Sequence, residues 1–203
     1  MAQTAAIGFA AHSGWAAMVV LAASGGGAAL SVLTRARIEL VDARDRDAKQ
    51  PYHAVEFLCV EEATGRLQGY LEVATALADA AIGTQCAALK ERGYGLNAVG
   101  ILDSAGRKAA SLTSILASHA LIHGAEGDHF RNALCAAAEM RGLRVCRVQT
   151  RTLEDHAVHQ LHLSRERILD TVNGLGRQVG PPWGADQKKA ALLAWTLLGQ
   201  RNA

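Results

Sequence analysis

Aromatic residues make up only 4% of this 203-residue chain. Its core must therefore be assembled mainly from alanine, leucine, valine and isoleucine. Charge of one sign is also missing. Lys+Arg number 21 against 19 for Asp+Glu, a net of +2, and no basic tract advertises nucleic acid. The densest charged stretch, Asp42 to Lys49, alternates in sign and reads as a solvated loop. Near-neutrality argues against strong affinity for a phosphate backbone, although folding can gather scattered arginines into a patch. The four cysteines, Cys59, Cys86, Cys135 and Cys146, include no C-x-x-C pair. They read as free, mostly buried thiols in a reducing compartment, with two disulfides left formally open. There is no G-x-x-x-x-G-K-[ST] loop, no G-x-G-x-x-G opening a helix after the first strand, and no G-x-S-x-G elbow. Long apolar runs are absent as well. Met1 to Gly27 is apolar and ends in small residues, but it lacks a basic n-region and is interrupted at His12-Ser13-Gly14. The run Ala16 to Ala23 is too short to span a bilayer. A buried strand and a cytoplasmic protein without membrane attachment are expected.

Half the residues are apolar and a fifth charged, the profile of a globular chain. The length suits a single domain over residues 1–203. Ala5 to Phe9 and Trp15 to Leu21 flank the polar bend and form one bent strand or two short ones, continuous in hydrophobicity as central strands are. Gly25-Gly26-Gly27 reads as a hairpin turn. Ala29 to Leu33 and Ala36 to Val41 follow as strands, separate or joined through Arg35, so the chain opens as a β-meander. Glu56 to Arg92 carries apolar residues at helical spacing, ended by Gly93 and Gly95. Leu96 to Leu102 is a short buried strand. Leu112 to Arg141 is helical, either unbroken or interrupted near Gly124 or Gly127. Leu143 to Val148 is a strand, Thr152 to Leu175 a helix, and Ala185 to Leu198 a closing helix. The expected class is α/β, in the order β-β-β-α-β-α-β-α-α.

That order resembles the RNase H-like fold, and within it the RuvC-like type. Ile7-Gly8-Phe9 followed by Ser13-Gly14-Trp15-Ala16 is similar to that family's first strand and Gly-Trp turn. Leu134 to Val148 resembles its central helix and following strand, and Asp186 to Trp195 its closing helix. The resemblance covers most of the chain and implies a divalent-metal site with carboxylates on the first strand, after the fourth strand and at the last helix. Carboxylates suit Mg²⁺ because it is a hard ion that prefers oxygen. Here the first-strand position is Ala10, while Asp103 and Asp186 stand at the second and third. Loss of the first acid counts against two-metal phosphodiester cleavage.

Other residues could rebuild a site. His119, His123 and Glu126 fall at i, i+4 and i+7 and share one helical face, provided the helix runs through Gly124. Two imidazoles and a carboxylate can hold a first-row metal or act as acid and base; the bland alternative is a solvated polar face. His12, in the first-strand bend, could replace the missing acid. Ser13 could donate a hydrogen bond or act as a nucleophile if a histidine lies nearby. His53, just after Pro51, is a weaker candidate. His156, His159 and His162 drift round their helix and read as a solvated face. Trp183 either caps a pocket or packs its loop, and Lys188 and Lys189 either meet an anion near a helix N-terminus or are solvated.

The expected catalytic set is thus His12, Ser13, Asp103 and Glu126, and the expected ligand set for a divalent metal is His119, His123, Glu126, Asp103 and Asp186. Two functions follow. One is a metal-dependent hydrolase acting on a phosphoester or nucleic acid through a rebuilt His/carboxylate site. The other is a non-catalytic RNase H-like binding or interaction protein that has lost the nuclease site. Nucleic acid, a phosphorylated ligand and a second copy of the chain all stay open as partners.

Overall fold

The computed structural model describes residues 3–24, 29–104 and 111–198. The expected Gly25-Gly26-Gly27 turn lies outside them. β1 (Gln3–His12), β2 (Trp15–Ser24) and β3 (Ala29–Glu39) form the antiparallel opening. His12 pairs with Trp15 across a two-residue turn, and Gly14 takes the positive φ of 79° that the turn requires. The apolar run is therefore two strands, and the stretch around Arg35 is continuous in β3. β4 (Tyr94–Asp103) adds parallel to β1, and β5 (Arg144–Gln149) adds parallel to β4. The sheet order is β3-β2-β1-β4-β5.

Central placement explains the unbroken apolar character of β1 and β2, because both faces are covered. Ile7, Phe9, Met18, Val20, Val99 and Ile101 pack on one side against α2 (Val60–Glu91) and α4 (His119–Met140). Ala6, Ala10, Ala17, Val19, Ala98 and Leu102 point to the other, where α5 (Leu153–Leu161), α6 (Arg165–Val179) and α7 (Ala185–Leu198) lie. The strand period of two sorts the residues between these layers. α7 approaches β1 through Gly8 and its own alanines. A Cβ on Gly8 would fall 1.9 Å from the Ala190 carbonyl oxygen.

The helices depart from the expected boundaries where local polar groups intervene. Pro51 opens a short helix, α1 (Pro51–Ala54), ahead of α2. The stretch from Leu112 breaks at Ala117-Ser118, not at Gly124 or Gly127. It yields α3 (Leu112–Leu116), capped by Ser111, and an unbroken α4. The stretch from Thr152 breaks at His162, which adopts φ 54° and closes α5; Ser164 then caps α6. A 3-10 turn at Thr150–Thr152 precedes α5. The exposed edge of β3 is covered by the Gln178 side-chain amide. It accepts from Val32 N at 2.9 Å and donates to Leu30 O at 3.0 Å, standing in for a neighbouring strand. Trp183 packs its loop: its indole N–H donates to Val172 O at 2.9 Å, and its ring lies over Gly176. The four cysteines are free. Cys59 is exposed and the other three are half-buried, so the expectation of mostly buried thiols needs correcting. Among the described residues no helix is long and apolar enough to cross a membrane.

Candidate functional site

Parallel pairing brings the C-terminal ends of β1 and β4 side by side, the usual place for a crevice in such sheets. α7 starts beside them. Ala10, His12, Asp103, Arg131, Asp186 and Lys189 are among the residues lining a cavity of about 240 Å³ there. Three of the expected residues, His12, Asp103 and Asp186, thus meet. Ser13 is exposed on the turn and does not line the cavity. His12 cannot easily activate it, because His12 Nε2 is held 2.9 Å from Asp186 Oδ2 and its ring stacks on Trp15 at 4.3 Å.

Asp103 is enclosed by cations. Arg147 reaches both its oxygens, Nη2 to Oδ1 at 3.1 Å and Nε to Oδ2 at 3.2 Å, a bidentate arrangement. Arg131 Nε stands 3.3 Å from Oδ1, and the Ser104 N–H donates to Oδ1 at 2.8 Å. Burial opposes the charge on Asp103, but the Arg147 bonds and charge, the Ser104 N–H and Arg131 outweigh it and hold the pKa below the usual carboxylate value. Arg131 is itself buried. It also donates to Asp128 Oδ1 at 2.9 Å and to Ser104 Oγ at 2.9 Å. Gly127 leaves room for its guanidinium, since a Cβ there would fall 2.8 Å from Arg131 Nη2.

The divalent metal implied by the RuvC-like resemblance does not fit this cavity. Ala10 supplies no ligand atom, Asp103 is spent on two arginines, Asp186 is bonded to His12, and Lys189 adds a further cation. A hard cation needs free carboxylate or carbonyl oxygens.

His119, His123 and Glu126 line none of that cavity. The residues expected as one site fall into two groups, and Asp103 and Asp186 do not join the histidines. Glu126 and Arg131 are five residues apart on α4, which turns them about 140° from each other around the helix axis. α1 supplies the partner instead. Its His53 seats against α4, with Nδ1 2.7 Å and backbone N 3.4 Å from Glu126 Oε1. His53, His119 and His123 each present a nitrogen, and these atoms all lie within 4.8 Å of one another. His119 Nε2 and His123 Nε2 are 3.1 Å apart. Glu126 Oε2 lies 3.8 Å from His123 Nδ1. The Glu126 carboxylate is almost wholly buried, at 2% exposure for the residue, whereas His119 and His123 are exposed.

His129 is a buried neighbour whose Nε2 has no hydrogen-bond partner. Burial is the main cause that holds its pKa below the ordinary imidazole value. Burial likewise raises the pKa of Tyr52, which meets His129 edge-on at 6.2 Å. His53 carried only a weak signal in sequence, because a loop histidine has no periodic partner. Arg131 and Arg147 carried none, because what they pair with is set by the sheet register and the α4 packing.

The fold these elements define is that of the RNase H-like class. Within it, the chain is similar to two solved structures. One is Thermus thermophilus RuvC, at 16% identity and a TM-score of 0.52, covering 95% of this chain and 92% of that one. The other is T. thermophilus RuvC in complex with Holliday junction substrate, at 14% identity and a TM-score of 0.51, covering 95% and 91%. At such identities the likeness is one of fold. No family model and no curated protein sequence matches the chain.

Proposed function

We propose that residues 1–203 form a single RNase H-like domain that acts as a binding protein and has given up nuclease chemistry at the end of its sheet. The observation that carries this reading is the enclosure of Asp103 between Arg131 and Arg147, beside Ala10. A two-metal nuclease needs carboxylates that face the cation and are not already neutralised by arginine. The divalent metal expected from the sequence is, on this reading, assigned to the histidines of α1 and α4 and not to Asp103 and Asp186. One of the RuvC structures was solved with a Holliday junction, so a four-way DNA junction and linear DNA are the substrates to try. With millimolar Mg²⁺ or Mn²⁺ neither is expected to be cut. Cutting that disappears in Asp103→Asn would sink the reading.

A second reading, a metal-dependent hydrolase acting on a phosphoester, is favoured by the exposure of His119 and His123, which leaves a cation held there in reach of solvent. Its mark is phosphate release from a generic aryl phosphate by zinc-loaded protein, lost in His119→Ala. Equal background rates for both proteins exclude it.

A further inference from the structure

We infer that His53, His119 and His123 form a three-imidazole centre for a zinc-class divalent cation, with the Glu126 carboxylate as its outer-sphere acceptor and a fourth coordination position open to water or a small anion. The inference rests on assigning the metal to these histidines, and it adds the cation class, the role of Glu126 and the open position.

Four observations converge on it. The first is spacing. Two ligand nitrogens about 2.05 Å from zinc in a tetrahedral site stand roughly 3.3 Å apart. His119 Nε2 and His123 Nε2 are already at 3.1 Å, and no pair in the trio exceeds 4.8 Å. Side-chain rotation closes the remainder, since two of the rings are exposed.

The second is the tautomer. Metal-bound histidine generally donates its other ring N–H to a carboxylate or carbonyl. His53 Nδ1 lies 2.7 Å from Glu126 Oε1. Donation there places the lone pair on Nε2, away from the carboxylate. His123 Nδ1 lies 3.8 Å from the other oxygen, beyond hydrogen-bond distance, so the carboxylate orients the His53 ring directly and lies beside the second. Glu126 is therefore a positioning residue here and not a ligand.

The third is charge. A buried carboxylate is costly unless a cation compensates it. Among the described residues, His53 and His123 contact the Glu126 carboxylate and His129 and Tyr52 lie close enough to feel its charge, and none of the four is a lysine or an arginine. Arg131 of α4 and Arg147 of β5 are occupied with Asp103 and Asp128. A divalent ion bound to the imidazoles supplies the missing positive charge.

The fourth is access. The His123 side chain is 55% exposed and that of His53 22%. Three protein ligands on one side and solvent on the other is the pattern of sites that keep an exchangeable position. The all-nitrogen donor set selects zinc, cobalt, nickel or copper over magnesium.

The test uses untagged, full-length protein stripped of metal by chelator and then titrated with Co²⁺. One equivalent is expected to bind with visible d–d absorption, to be displaced by Zn²⁺, and to be unaffected by millimolar Mg²⁺. His53→Ala and His119→Ala should each weaken binding by more than tenfold, and His159→Ala should leave it unchanged. Glu126→Gln keeps the shape of the carboxylate and should retain one-to-one binding at 10- to 100-fold lower affinity. Thiocyanate should shift the Co²⁺ spectrum. No uptake, or uptake that ignores His53 and His119, overturns the whole assignment of the metal. Histidine-dependent uptake with a spectrum that thiocyanate does not alter overturns the open position and leaves the assignment standing. Unchanged affinity in Glu126→Gln removes its outer-sphere role.

Discussion

Gly8→Ala is expected to destabilise the protein by about 3 kcal/mol or more, beyond the usual cost of overpacking a core. For a chain of this size that lowers the melting temperature by roughly 10 °C. The added methyl group would lie 1.9 Å from the Ala190 carbonyl oxygen, 2.8 Å from its carbon and 3.1 Å from Ala194 N. All three are backbone atoms of α7, so no side-chain rotation relieves the clash and the helix itself must lift from β1. That displacement opens the layer in which Ala190, Ala191 and Ala194 are packed without exposure. It also moves Asp186 away from His12, because α7 carries Asp186 in its first turn. Gly65→Ala is the control. Gly65 lies in α2 with nothing within 4 Å of the added atom, and alanine there should gain about 0.5–1 kcal/mol from helix propensity. Thermal melts of both variants check the pair. A Gly8→Ala protein melting within a degree or two of the parent would mean that α7 does not approach β1 this closely.

In sequence the abundance of alanine was legible only as core material in place of aromatics, and the close approach of α7 to β1 was not. Continuous apolar runs marked β1 and β2 as central, and the strand-first order pointed to the RNase H-like class. Helix breaks were less legible, since they depended on particular polar groups. Ser118 and His162 end and begin helices where composition stays favourable, while Gly124 and Gly127 sit inside α4 without breaking it. The candidate site was half legible. The i, i+4, i+7 spacing gathered His119, His123 and Glu126 because periodicity is local. His53 joins them from α1, a segment 66 residues away from His119 in sequence, and only tertiary packing reveals that. The same limit applies to Asp103. Its place at the end of β4 was readable, but its environment was not, because Arg131 and Arg147 arrive from a helix and a strand whose register the sequence does not state. Fold therefore followed from patterns within elements, and chemistry from contacts between them.

Arg131→Met is expected to cost about 2 kcal/mol at neutral pH. Breaking a fully buried ion pair from one side costs about 3–5 kcal/mol, and the lower figure reflects what remains here. Asp103 keeps Arg147, and the Asp103 and Asp128 side chains are 18% and 33% exposed, so water takes up part of the loss. The pH dependence has a definite sign. The folded protein holds the Asp103 pKa below its unfolded value of about 3.9. Ionised Asp103 therefore contributes stability that is present above that value and lost as the pH falls through the lower folded pKa. The gap between parent and Arg131→Met should be widest above about pH 4 and narrow on further acidification. Asp103→Asn in the Arg131→Met background should cost less than it does alone, because one of its two arginine partners is already gone, and urea denaturation of the four proteins gives that coupling directly. Additive costs, or a gap that ignores pH, would show that Arg131 does not act through Asp103. Coupled costs would show that the arginine and the aspartate exist for each other, which is the physical content of a carboxylate withdrawn from metal binding.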